Sequence, residues 1–336
     1  MSPRPGGAPL ISVEDLTVLL PAGGRMRPAV ECASFSIAEG EALALVGESG
    51  CGKTQLARAL LGLSPDDARV EGRVRLAGRE IAGLSDRAWS EVRGREIGIV
   101  FQEPATALDP VRTIGEHLDE ALALHRRVPA DERRRIGLNA LRAVAFPDPE
   151  SGISAYPHRL SGGLRQRACL AIALAPGPRV LLADEPTASL DATVARQILE
   201  LLDRLRKERG LALLLITHHL GLVAGHCDRA LVLYAGRIVE EAPVGVLFGD
   251  PGHPYTRGLL RSAPRLGRAA RGAGERYETI SGVLADLAGR PEVGCGFEPR
   301  CPERFEPCAI REPKLYARAR SRVRCFLHEP RLGAGA

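Results

Sequence analysis

The stretch "GESGCGKT" occupies residues 47–54 with the spacing GxxxxGK[ST]. Such a loop holds phosphate, because glycines let successive backbone N–H groups turn inward around the oxygens and a following helix N-terminus adds partial positive charge. On this reading Gly47, Glu48, Ser49, Gly50, Cys51 and Gly52 form the cradle, Lys53 reaches the β- and γ-phosphates, and Thr54 binds Mg²⁺. A second stretch, "VLLADEP", ends an apolar run in two acids, Asp184 and Glu185. At the carboxyl edge of a buried strand, Asp184 suits a Mg²⁺ ligand and Glu185 a base that orients and polarises the attacking water. A third, "LSGGLRQR" at 160–167, is a Ser-Gly-Gly turn opening a helix. It reads either as a second anion-binding helix end or as an N-capped helix whose glycines allow close packing. One nucleotide needs one cradle, so a second implies two nucleotides, two surfaces and a chain that works as a dimer.

These side chains require elements that deliver them to one edge. "EALALVG" (41–47), "RVLLADE" (179–185) and "LALLLIT" (211–217) read as buried strands, each followed by a helix. Over 191–210, Val194, Ile198, Leu201, Leu202 and Leu205 share one helix face, and Gly210 ends the helix. Strand, helix and strand at this spacing predict a mostly parallel α/β sheet covered on both sides. From about residue 105 the pattern becomes helical, with candidates near 113–127 and 130–145, predicting a helical insertion over about 105–175. "RALVLYAGRIVEE" alternates around Ala235 and Gly236 as a hairpin. The seam is "FGDPGHPYTRG" at 248–258, where Pro and Gly accumulate and the charge balance changes sign, which predicts a larger unit followed by an extension over 246–336.

A chain of 336 residues with 45% hydrophobic and 26% charged residues suits one large domain plus an appendage and excludes a disordered or fibrous class. "MSPRPGGAPL" lacks the apolar core of a secretory signal, and the apolar runs are too short to span a bilayer, so a cytosolic protein is expected. Net charge is +5, yet residues 251–336 carry +7, so the tail is basic and could suit nucleic acid, anionic lipid or an anionic cofactor. In a reducing compartment, four cysteines crowded near one end argue for metal or redox chemistry over disulfides. Cys295, Cys301, Cys308 and Cys325 have neither zinc-ribbon nor ferredoxin spacing, which leaves zinc and iron–sulfur both open. Cys32, Cys51, Cys169 and Cys227 are dispersed and read as buried small hydrophobes.

In order along the chain stand the phosphate loop, the glutamine of "VFQEP" at Gln102, the signature Ser161 to Gln166, Asp184 and Glu185, the "SLD" turn at 189–191 and the "ITH" histidine, His218. With these six motifs the chain resembles the ATP-binding subunits of ABC transporters, over about residues 10–245. The resemblance implies a P-loop NTPase fold with an antiparallel β part, ATP and Mg²⁺ as cofactors, and Gln102, with Thr54 and Asp184, among the Mg²⁺ ligands. It further implies that Gln102 links the nucleotide to a membrane partner and that His218 contacts the γ-phosphate. Ser161, Gly162 and Gly163 would meet the ATP of the opposite subunit, with Asp191 at the dimer interface. Three departures stand out. Cys51 replaces a residue whose backbone does the work, and Leu164 replaces the usual signature glutamine. Leu20 lies where an aromatic ring commonly stacks on adenine.

"YPHRLSGGLRQR", "FQEPATALDPVRTIGE" and "HPYTRGLL" are similar to the oligopeptide and dipeptide importer branch. That similarity implies a second homologous ATPase subunit, two transmembrane permeases, a solute-binding protein reached indirectly, no nucleic acid, and a peripheral position on the cytoplasmic face of the cell membrane. The "GCGFEPRC" and "EPCAIREPKL" stretches resemble importer tails, some of which carry a 4Fe–4S cluster. This favours iron–sulfur, with zinc as the alternative and with Arg300, Arg304, Arg311, Arg322 and Arg324 offsetting the cluster charge. The rival expectation is a soluble ABC-type ATPase acting on nucleic acid or ribosomes through its basic tail.

Overall fold

The computed structural model describes residues 8–126, 128–188, 190–262 and 280–330, so Ser189 of the "SLD" turn lies outside the described residues. The described strands form two sheets. They are β1 (Ile11–Ala22), β2 (Arg25–Ile37), β3 (Ala42–Val46), β4 (Arg69–Leu76), β5 (Arg79–Glu80), β6 (Ile97–Val100), β7 (Val180–Asp184), β8 (Ala212–Thr217), β9 (Arg229–Tyr234), β10 (Arg237–Pro243), β11 (Tyr316–Arg318) and β12 (Ser321–Val323).

The larger sheet runs β11-β12-β10-β9-β3-β8-β7-β6. Its centre, from β9 through β3, β8 and β7 to β6, is parallel. Every residue of β3, β7 and β8 is buried, as a parallel strand covered on both faces requires. The loops leaving the carboxyl ends of these three strands carry Gly47, Glu185 and His218, so the sheet alone brings distant motifs to one edge. The smaller sheet, β2-β1-β4-β5, is antiparallel, and one apolar core fills the space between it and the large sheet. A second core lies under the helical insertion, whose helices include Ile114–His125, Ala130–Ala143 and Gly162–Leu174. Local chemistry sets their ends. Thr113 and Glu116 form a reciprocal capping box, and the Asp191 carboxylate accepts from the Thr193 and Val194 N–H groups to start Ala192–Arg209. Gly210, at φ 64°, closes that helix in the left-handed region.

The hairpin around Ala235 and Gly236 forms as expected, joining β9 to β10. Beyond it the chain returns to the same sheet, because β12 pairs with β10 through Glu240 and Val323. The extension also has more apolar content than its arginine-rich sequence suggests. Tyr234 packs edge-on against Tyr255 at 4.6 Å and against Phe297 at 5.1 Å, with Tyr255 and Phe297 buried. Val323, Cys308, Cys325 and Phe326 are buried too. Cys32 departs from the expected burial: it is exposed, at φ 45°, where the β1–β2 register is irregular, and its N–H donates to Thr17 Oγ1.

Glu240 and His253 weld the extension to the sheet. Glu240 is fully buried and accepts the Gly252 and His253 N–H groups at 2.7 and 2.9 Å, while His253 Nδ1 accepts the Tyr255 N–H. Burial, reinforced by Arg257 and His328, lowers the His253 pKa to about 3. An unfolded histidine titrates near 6.5, so below that pH the unfolded chain binds a proton that the folded chain refuses. Stability is therefore full above about pH 6.5 and falls by up to about 1.4 kcal/mol per pH unit below it, towards the folded value. Urea midpoints of wild type and His253→Gln across pH 4–8 check this: the variant should lose part of the acid sensitivity, and equal pH profiles would contradict the assignment.

Candidate active site

A cleft of about 870 Å³ gathers Gly47, Glu48, Ser49, Gly50, Gly52, Lys53, Thr54, Gln102, Asp184, Glu185 and His218 in its lining. The phosphate loop lies between β3 and the helix Lys53–Leu60 and is held from several directions. Buried Lys53 folds its Nζ back onto the Gly47 and Glu48 carbonyls, at 2.8 and 3.0 Å. Together with a longer contact to Cys51 Sγ at 4.0 Å, these bonds hold the cation against the loop. Gly52 sits at φ 114°, and a β-carbon there would drive into the Ala29 carbonyl. The Cys51 side chain points away from the cleft into the core against Gly47, and burial raises its pKa, so its share in the cradle is its backbone.

The acidic pair lines the same cleft as the loop. Asp184 is 4% exposed; burial raises its pKa, and a hydrogen bond from Thr54 opposes the rise. Its Oδ1 is buried without a hydrogen-bond partner among the described residues. Thr54 and an orphaned carboxylate oxygen on one wall fit a hard divalent cation such as Mg²⁺. Glu185 adopts φ 48°, rare for a side-chain-bearing residue, which turns its carboxylate off the strand line and into the cleft. Its Oε1 lies 2.7 Å from His218 Nδ1, and its buried Oε2 has no partner among the described residues. A carboxylate fixed through one oxygen and free at the other is arranged to take a proton from a water.

The signature does not join this cleft. Ser161 and Gly162 are exposed, and Gly162 lies on a separate groove of about 280 Å³ with Gln166, Ala188 and Leu190. Ser161 caps its helix, accepting from Leu164 N–H, and a β-carbon on Gly163 would press on Val194. The capping and close-packing roles are thus both met, while the exposed turn stays available to something outside this chain. Asp191, also exposed, caps the next helix. Gln102 lines both the cleft and the groove, between the two motifs.

Sequence reasoning missed the extension's part in the site. Arg300 grips Glu48 through both carboxylate oxygens, at 2.6 and 2.9 Å, and the Glu48 N–H donates to Tyr255 Oη at 2.9 Å. Arg290 donates to the Gly50 and Pro28 carbonyls at 2.8 and 3.1 Å. The five arginines expected to offset a cluster's charge all pair with carboxylates, Arg300 with Glu48 as above. Arg304 pairs with Glu298, Arg311 with Glu329, Arg322 with Glu241 and Arg324 with Glu312.

The four tail cysteines share one region: Cys325 interacts electrostatically with Cys295, Cys301 and Cys308, and the Cys295 N–H donates to the Cys308 carbonyl at 2.7 Å. All four are free thiols. Among the described residues, however, no three His, Cys, Asp or Glu side chains reach the arrangement of a metal site, so the expected four-cysteine centre is not formed in the structure. Burial pushes Cys301 and Cys325 each up to about 11, which keeps them protonated.

The Gly52 geometry yields a direct prediction. Gly52→Ala must displace either the loop or β2, so binding of Mg²⁺–triphosphate should weaken at least about tenfold, or about 1.4 kcal/mol. Calorimetric titration checks it, and wild-type affinity in the variant would contradict the tight fit against Ala29.

A sequence profile described as "ABC transporter" matches residues 30–188, and one described as "Oligopeptide/dipeptide transporter, C-terminal region" matches residues 239–308. The oligopeptide transport ATP-binding protein OppD of Mycobacterium tuberculosis is 47% identical over 92% of this chain, which spans 50% of that protein's length. AppD of Bacillus subtilis, an oligopeptide transport ATP-binding protein, is 41% identical over 90% of this chain and 92% of its own. Among solved structures, the dimeric post-hydrolysis state of the ATP-binding cassette MJ0796 bound to ADP and Pi matches with a TM-score of 0.63 and 28% identity, over 70% of this chain and 98% of that one. The cbiO1 structure from Clostridium perfringens matches with a TM-score of 0.62 and 28% identity, over 72% and 91% respectively. With the phosphate loop, the acidic strand end and the C-terminal region each matched in place, the chain belongs to the ATP-binding proteins of ABC transporters, in their oligopeptide/dipeptide branch.

Proposed function

We propose that this chain hydrolyses Mg²⁺–ATP to power an importer of oligopeptides or dipeptides. The observation that carries the reading is the convergence of Lys53, Thr54, Asp184, Glu185 and His218 on one cleft. Lys53 would exchange its two carbonyl contacts for phosphate oxygens. Thr54 and Asp184 would hold the Mg²⁺, which neutralises charge on the phosphates when bound. Glu185, aligned by His218, would receive the water's proton on Oε2 as the water attacks the γ-phosphate. Gln102, between cleft and groove, would report the occupancy of one to the other.

The exposed signature turn supports pairing with a second ATPase subunit, in which Ser161, Gly162 and Gly163 would face the partner's nucleotide and Asp191 the interface. Two permeases would dock on the pair at the cytoplasmic face of the membrane, with a solute-binding protein acting through them. No described helix is long and apolar enough to cross a membrane, which suits a peripheral subunit. The alternative, a nucleic-acid ATPase with a basic tail, is weakened by Arg300, Arg304, Arg311, Arg318, Arg322 and Arg324, which are all paired with carboxylates of this chain. Glu185→Gln should keep ATP affinity while turnover falls by roughly 10² or more. Turnover equal to wild type would remove Glu185 from the base role.

For residues 246–336 we propose an extension whose four thiols take a metal centre, iron–sulfur in preference to zinc. Support comes from the donor set. Four unbridged thiols share one region, and backbone N–H groups donate to the sulfurs of Cys295, Cys301 and Cys325. Such bonds favour thiolate ligands, and a bound cation supplies the rest of the drive to release the protons. Anaerobic purification followed by iron, sulfide and zinc analysis should give iron and sulfide in equal amounts, lost in Cys308→Ser. Stoichiometric zinc without iron, in cells grown with ample iron, would end the iron–sulfur assignment.

A further inference from the structure

The cleft that holds the phosphate loop continues past it onto an apolar surface that the ATPase unit alone does not supply. Leu20 of β1 and Ala29 of β2 line this part together with Leu259, Ile280 and Leu287 of the extension, beside the polar Ser262, Asp286, Arg290 and Arg300. Chemistry therefore changes along the cleft, from Lys53, Asp184, Glu185 and His218 to a surface on which five aliphatic side chains stand among a few polar ones. That gradient matches a nucleoside triphosphate, with charged phosphates at one end and a flat, weakly polar base at the other. The described lining of the apolar end contains no aromatic side chain. Stacking on a ring is thus replaced by sandwiching between aliphatic groups, which bury the same faces of the base.

The extension's wall is also built to stay in place. Ile280 packs so closely on the helix Pro254–Ser262 that a β-carbon on Gly258 would touch it. Arg290 ties the following turn to Gly50 and Pro28, Glu292 pairs with Arg27 at 2.8 Å, and Arg300 locks Glu48. The arginine and glutamate anchors land on the phosphate loop or on β2, so the wall keeps register with the phosphates.

Resting on the ATPase reading above, we propose that the C-terminal extension completes the nucleotide site, with Leu259, Ile280 and Leu287 forming the wall against which the purine base of ATP packs, opposite Leu20. Truncating this wall should weaken ATP and spare a ligand that has no base. In the full-length chain, Ile280→Ser and Leu287→Ser together should raise the Kd for Mg²⁺–ATP about tenfold or more and leave that for inorganic tripolyphosphate within twofold. Unchanged ATP affinity would overturn the proposal. Failure of the wild type to bind either ligand would overturn the ATPase reading and this inference with it. Photolabelling of the wild type with 8-azido-ATP, competed by ATP, decides the matter even where the variants misfold. Label should appear in residues 254–262 or 280–290, whereas label confined to residues 11–37 would refute the wall.

Discussion

The phosphate loop must present its N–H groups inward, against the ordinary preferences of a chain between strand and helix, and much of the structure serves to hold it so. Gly52 accepts the left-handed conformation and the pressure of the Ala29 carbonyl. Lys53 draws the Gly47 and Glu48 carbonyls together from inside. From outside, Arg300 and Tyr255 fasten Glu48 by its side chain and its backbone. A bidentate guanidinium–carboxylate pair, with Arg300 only 7% exposed, is among the stronger polar links a protein makes at a partly covered site. The cost of holding a strained, polar loop open is thus spread over the large sheet, the small sheet and the extension.

The catalytic end depends on a second, smaller strain. Glu185 follows β7 in a conformation that a residue with a side chain seldom adopts, and it is held there by its own N–H bonded to the Ile216 carbonyl at 2.9 Å. Because β7 and β8 pair in register, the same two strands place Asp184, Glu185 and His218 together. The sheet therefore does the positioning, and the loops need only short reach. Buried oxygens of Asp184 and Glu185 that lack partners among the described residues are costly in a resting protein and are recovered when a cation and a water arrive.

What could be read from the sequence follows the range of the forces involved. Continuous apolar runs and capping residues are local signals, so β3, β7, β8, the helices of the insertion and the helix starting at Asp191 were legible, as were the loop, the acids and His218. The pair joining Arg300 to Glu48 spans 252 positions and leaves no local trace. The arginines invited a charge argument about thiols, yet each pairs with a carboxylate, and the Arg322–Glu241 pair exists only because β12 returns to β10. Cys32 was misplaced because the β1–β2 irregularity that exposes it depends on pairing rather than on composition. The aliphatic wall formed by Leu259, Ile280 and Leu287 was hidden for the same reason, since it belongs to the extension while Leu20 belongs to the smaller sheet.

The central claim is that one cleft, shared by the phosphate loop and the extension, binds Mg²⁺–ATP as a unit. Hydrogen–deuterium exchange of the full-length chain, with and without a non-hydrolysable Mg²⁺–ATP analogue, tests it most directly. Amides of 47–54 and of 280–290 should slow together over the same range of nucleotide concentration. Protection restricted to 47–54, or absent from both segments at saturating nucleotide, would contradict the account.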